Sequence, residues 1–125
     1  MRFVSESFRK NAVCEAVLAA GRADETGQMY LNGTDAKDPR VSPLFANFKG
    51  APPVWITVGD TEILLDDGRG MARALDDVGV DVTFVEERDL PHVWPIFHNI
   101  LTEARQTLDD LADWIRQVLA RQGES

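Results

Sequence analysis

The sequence has a single cysteine, Cys14, and only two histidines, His92 and His98. A lone cysteine cannot close an internal disulfide, and without a Cys-x-x-Cys pair or more histidines there is no zinc-ligand cluster. Long hydrophobic runs are also missing. Nowhere do eighteen apolar residues follow one another, and the opening Met1-Arg2-Phe3-Val4-Ser5-Glu6 has no apolar secretory core. The expectation is a chain with no membrane span and no signal peptide, in a reducing, cytoplasmic setting. Basic residues are scarce: 13 Lys and Arg face 21 Asp and Glu, giving a formal net charge of −8. That balance opposes binding to nucleic-acid backbones or anionic lipid. No internal repeat, low-complexity stretch or glycine-rich phosphate loop occurs, so a nucleotide-binding signature is missing as well.

What remains is the composition of a globular protein, 44% hydrophobic and 27% charged over 125 residues, enough for one domain. From Ser5 to Ala20, Phe8, Ala12, Ala16, Val17 and Leu18 recur at helical spacing before Gly21, which predicts a first helix. Within it Cys14 is expected to be a small buried apolar group, since no neighbouring base would activate its thiol. Residues 21–53 are punctuated by Gly21, Gly27, Gly33, Pro39, Pro43, Gly50, Pro52 and Pro53. They read as a loop region with one short helix around Gln28 to Leu31.

After the prolines, Val54-Trp55-Ile56-Thr57-Val58 is β-branched and nearly all apolar, as in a parallel strand covered on both faces. Leu64, Met71, Leu75 and Val78 then predict a helix of about four turns with Gly79 as its C-cap. A second strand is expected over about 81–86, followed by a turn at Arg88-Asp89-Leu90-Pro91-His92. Phe97, Leu101, Ala104, Leu108, Leu111, Ile115 and Val118 alternate at four and three residues, the pattern of a long amphipathic helix. Strand, helix, strand, helix implies an α/β fold with a short parallel sheet and a right-handed crossover. Two strands are too few for an independent parallel sheet, so more sheet is expected around them.

Parallel sheets place their chemistry beyond the carboxyl ends of the strands. The loop after the first strand carries Asp60, Glu62, Asp66 and Asp67; the loop after the second ends in His92. A carboxylate there can hold one imidazole nitrogen and leave the other free as a general base. On spacing alone the alternative stands beside it: Glu62 and Asp66 as helix N-terminal carboxylates opposing the dipole, and His92 as an ordinary loop residue.

The segments Ser42-Pro43-Leu44-Phe45, Gly50-Ala51-Pro52-Pro53, Val58-Gly59-Asp60-Thr61-Glu62-Ile63-Leu64-Leu65-Asp66-Asp67 and Leu90-Pro91-His92-Val93-Trp94 resemble, in order, the hormone-sensitive-lipase-like bacterial esterases, which are α/β-hydrolases. The resemblance implies the C-terminal part of that fold. It also implies Glu62, which opens the acid-x-Leu-x-Asp motif, as triad acid, and His92 as the triad histidine. Asp60 is the competing acid, and Asp66 supports the loop and its helix. His98 matches no catalytic position and is expected to be structural or solvated. Trp55 and Trp94 are expected to pack, with Trp94 a candidate for the substrate side of the histidine loop. The implied chemistry is hydrolysis of small carboxylic esters through a serine acyl-enzyme, with no metal or organic cofactor.

Against that pattern, the sequence has no Gly-x-Ser-x-Gly and no His-Gly-Gly-Gly; its serines are Ser5, Ser7, Ser42 and Ser125, none flanked in that way. Residues 1–125 are therefore expected to be a single partial hydrolase domain lacking the nucleophile-bearing N-terminal portion and inactive alone. A truncation, an expressed fragment or half of a split enzyme would each fit. The expected partners are a complementing N-terminal chain or a second copy in a homodimer, because open strand edges invite pairing. A non-catalytic association module is the alternative.

Overall fold

The computed structural model describes residues 5–123. The helices are α1 (Glu6–Asn11), α2 (Ala20–Leu31), α3 (Leu65–Asp76) and α4 (Thr102–Gly123), and the strands are β1 (Val54–Gly59) and β2 (Val82–Glu87). Short 3-10 turns lie at Pro43–Phe45 and Trp94–Phe97. The described residues form two compact units, one running to His92 and the other beginning at Val93.

In the first unit β1 and β2 pair in parallel, Val54 opposite Val82 and Gly59 opposite Glu87, with α3 as the connection packed on both strands. This is the expected βαβ arrangement, each strand running one residue further than the sequence suggested. A Cβ built on Gly68 of α3 would touch the Val58 side chain at 3.5 Å, so the helix backbone lies close on the sheet. Helix α3 is shorter than expected, 12 residues or about three turns. Its end follows the prediction. Gly79 has φ 79°, its N–H donates to Asp76 O, and the Val80 N–H reaches back to Leu75 O, the paired bonds of a Schellman motif. Leu75 and Val80, both buried, close the core there.

The region before β1 departs from the sequence reading. Instead of one helix over 5–20, α1 stops at Asn11 and α2 begins only at Ala20. The break is made by the Glu15 side chain: Oε1 accepts the backbone N–H groups of Val17 and Leu18, offering that backbone an alternative to the helical ladder. Cys14, on this exposed turn, is solvent-accessible rather than buried. Helix α2 includes the short helix expected around Gln28 to Leu31 but begins well before it, at Ala20, taking in residues 21–27, which read as loop in the sequence. Gly21 and Gly27 each cost about 1 kcal/mol relative to alanine, but Ala20, Arg22, Ala23, Glu25, Gln28, Met29 and Leu31 favour helix and outweigh them. Asn32 in the left-handed region and Gly33 then end it.

The strands are less covered than a doubly buried pair would be. Val54 to Thr57 are only half-buried, and only Val58 and Gly59 of β1 are buried. Two strands among the described residues cannot supply both covering faces and both neighbours.

In the second unit, Pro95 initiates the 3-10 turn and the long helix starts at Thr102 rather than near Phe97. Trp94 is buried, and its indole N–H donates to Thr107 Oγ1 of α4 at 3.0 Å, a packing role as expected. His98 is exposed just after the turn. Ile115 and Leu119 of α4 are exposed. No helix among the described residues is long and apolar enough to cross a membrane.

Candidate active site

At the carboxyl end of β1 the chain reverses sharply. The Glu62 N–H donates to Gly59 O at 3.1 Å, closing a four-residue turn over Gly59, Asp60, Thr61 and Glu62. The Glu62 side chain folds back over this turn, and its Oε1 accepts the Gly59 N–H at 2.6 Å. Only glycine fits at the pivot, because a Cβ on residue 59 would overlap the carbonyl oxygen of Leu90. The turn therefore has to lie directly against the loop that follows β2.

That second loop is held by the first. Asp60 N–H donates to Glu87 O, prolonging the strand ladder by one bond. Asp60 Oδ1 accepts the N–H of Asp89, which adopts a left-handed φ of 56°, and Thr61 Oγ1 donates to Leu90 O at 3.2 Å. Pro91 then delivers His92 to Glu62: Nδ1 and Oε2 lie 2.6 Å apart. The glutamate is 3% exposed while the histidine side chain is 29% exposed, so the acid is sealed in and the ring meets solvent. With a proton on Nδ1 the contact is a charge-assisted N–H···O bond, and Nε2 is the nitrogen turned to other chemistry. Each Glu62 oxygen has its own donor, which fixes the carboxylate plane.

The other acids divide as their environments dictate. Asp60, the competing acid, is spent on the Asp89 N–H. Asp66 opens α3, where Oδ2 accepts the Ser7 N–H at 2.7 Å; this bond holds its carboxyl below the usual 3.8. Half-burial beside it pushes Asp67 upward, with the Asp66 charge adding to the effect.

Three contributors escaped sequence reasoning. Ser7 is buried; its Oγ donates to Ile63 O and accepts the Asp66 N–H, tying α1 to the start of α3. Glu15 Oε2 accepts the Ile63 N–H at 3.2 Å. The Asn11 amide donates to the carbonyls of Asp60 and Glu62 at 2.9 and 2.8 Å. These side chains lie 48 to 59 residues from the groups they hold in and just after the turn, and no local pattern announces them. An apolar hollow of about 690 Å³ opens beside the acid turn, lined by Leu18, Tyr30, Leu31, Val41, Ile63 and Leu64; Glu62 and His92 are not among its lining residues.

A buried carboxylate after one parallel strand, aligned on a histidine after the next, is the arrangement of the acid and base in a hydrolase sheet. A family model described as alpha/beta hydrolase fold matches residues 2–96. The chain belongs to that family, in its group of hormone-sensitive-lipase-like esterases. It is 34% identical over 102 residues to an acetyl-hydrolase of Streptomyces hygroscopicus, covering 82% of this chain and 34% of the relative. An esterase of Acinetobacter venetianus is 33% identical over 115 residues, 91% of this chain and 38% of its own. The crystal structure of an esterase from the bacterial hormone-sensitive lipase family superposes with a TM-score of 0.88 at 34% identity, covering 94% of this chain and 39% of that one. The chain thus spans between a third and two-fifths of the length of these relatives.

Proposed function

We propose that this chain carries the acid and the general base of a serine carboxylesterase, with Glu62 orienting His92 and the nucleophilic serine supplied from outside these 125 residues. The single observation that supports this best is the 2.6 Å approach of Glu62 Oε2 to His92 Nδ1 at adjacent strand ends. In the reaction, His92 Nε2 takes the serine hydroxyl proton as the serine oxygen bonds to the ester carbonyl carbon. The resulting imidazolium, balanced by Glu62, gives that proton to the departing alkoxide as the ester C–O bond breaks. Water activated by the same nitrogen then hydrolyses the acyl-enzyme, and the carboxylic acid leaves. The chemistry uses no metal or organic cofactor.

On this reading residues 1–125 alone hydrolyse esters at background rate, because no Gly-x-Ser-x-Gly nucleophile occurs in them. The test is an assay with p-nitrophenyl acetate on the chain alone and after mixing with the serine-bearing N-terminal segment of a related esterase. Activity that appears only on mixing, and that His92→Ala removes, is the expected result; full activity in the mixture after His92→Ala would sink the assignment.

One observation favours a second reading, a module retained for association. Val54 to Thr57 are half-exposed in a sheet of two strands, and such strands invite another chain, either the complementing segment or a second copy. Sedimentation over a concentration series separates the two readings: self-association with no gain of activity on mixing favours the association module.

A further inference from the structure

We propose that Asn11 is a positioning residue for the acid, holding the Glu62 turn in the form that presents its carboxylate to His92; this rests on the reading of Glu62 and His92 as acid and base. Asn11 is the last residue of α1 and is 7% exposed. Its side-chain nitrogen bonds to two carbonyl oxygens at once, Asp60 O at 2.9 Å and Glu62 O at 2.8 Å. Those carbonyls flank Thr61 at the crown of the turn. A primary amide is suited to the task, because its two N–H bonds diverge from one nitrogen and can each take one oxygen. Without these donors Asp60 O loses its side-chain partner and Glu62 O is left with the longer 3.3 Å bond from Leu65 N–H alone, so the turn is free to rotate.

Rotation about Thr61 or Glu62 swings the side chain that carries the carboxylate and strains the bond of Oε1 to Gly59 N–H at the other end of the same turn. Misplacements of about 1 Å are enough to lose most of an alignment effect. The neighbouring ties do not substitute for this one. Ser7 holds Ile63 O and the N–H of Asp66, and Glu15 holds the N–H of Ile63, all beyond the turn. Asn11 alone among them grips the carbonyls of the turn itself.

The test reads the imidazole tautomer in the intact chain by long-range proton–nitrogen NMR in alkaline buffer, where a free neutral imidazole favours the Nε2–H form. In the unaltered chain His92 is expected to be predominantly Nδ1–H. Glu62→Gln should reverse that preference, and Asn11→Ala, with amide dispersion intact, should lose it. A folded Asn11→Ala chain that keeps the Nδ1–H form overturns the proposal while leaving the acid–base reading in place. If Glu62→Gln also leaves the Nδ1–H form unchanged, it is the acid–base reading that fails. Should Asn11→Ala not fold, Asn11→Ser, which retains one donor, is measured instead. A folded serine variant with a mixed tautomer population supports the proposal. Retention of the full Nδ1–H form, or unfolding of this variant too, overturns it, because the side chain would then serve the fold as a whole.

Discussion

The carboxylate of Glu62 divides its two oxygens between Gly59 N–H and His92 Nδ1, each at 2.6 Å. This division decides what an amide would do there. In Glu62→Gln the oxygen is retained by the Gly59 N–H, so the NH2 group faces His92 and compels Nδ1 to accept. The ring then carries its proton on Nε2 and cannot act as base. In a complemented enzyme kcat is expected to fall by about 10³- to 10⁴-fold, with the folded state preserved, as steady-state kinetics and circular dichroism would show. A loss smaller than tenfold would mean that Glu62 does not orient the base.

Gly59 bears a separate prediction. Any Cβ there meets the Leu90 carbonyl, which is backbone and held in place by Thr61. Gly59→Ala should lower stability by about 3 kcal/mol, measured by urea unfolding. A change within experimental error would show that the two loops separate easily.

Asp66 makes stability depend on acidity with a definite sign. Its folded-state carboxyl titrates below the usual 3.8 because the charged form accepts the Ser7 N–H. The unfolded chain therefore binds the proton first. The contribution is complete above about pH 3.8 and is lost as pH falls through the lower folded value. Urea midpoints at about pH 6 and pH 3 should differ less in Asp66→Asn than in the parent chain. An equal difference in both would assign the acid sensitivity elsewhere.

Val93, next to His92, holds a φ of 51°, in the left-handed region that a β-branched residue rarely adopts, and it is 43% exposed. The strain costs on the order of 1–3 kcal/mol and little burial compensates for it. Val93→Gly, which exchanges that strain for unfolded-state entropy, should raise stability by about 1 kcal/mol in the same urea experiment. A loss of stability would show that the valine side chain is required.

What could be read from the sequence follows the range of the interactions. The strand at Val54 and the Schellman end at Gly79 rest on neighbouring residues, so composition and period revealed them. The meeting of Glu62 and His92 was legible because parallel strands bring successive loop ends together, and the family resemblance pointed to Glu62 rather than Asp60. The turn after Asn11 was not legible: Val17 and Leu18 keep a helical period while the Glu15 carboxylate takes their N–H groups. The first part of helix α2 was hidden by Gly21 and Gly27, whose cost of about 1 kcal/mol each is outweighed by the alanines and long side chains around them. Ser7 and Asn11 carry polar side chains whose purpose appears only once Asp66 and the acid turn have been brought to them.

The bonds from Asp60 to Asp89 and from Thr61 to Leu90 join the acid loop to the histidine loop without help from any residue beyond His92. A catalytic triad assembled from loose parts would be a three-body encounter, with the freedom of acid, base and nucleophile all surrendered together. On the proposed reading of Glu62 as acid and His92 as base, two of the three have already met within this chain, before any serine arrives. On that reading, assembly with a nucleophile-bearing chain would reduce to a two-body docking event. Its rate should rise in simple proportion to the partner's concentration, with no lag for the histidine to find its acid.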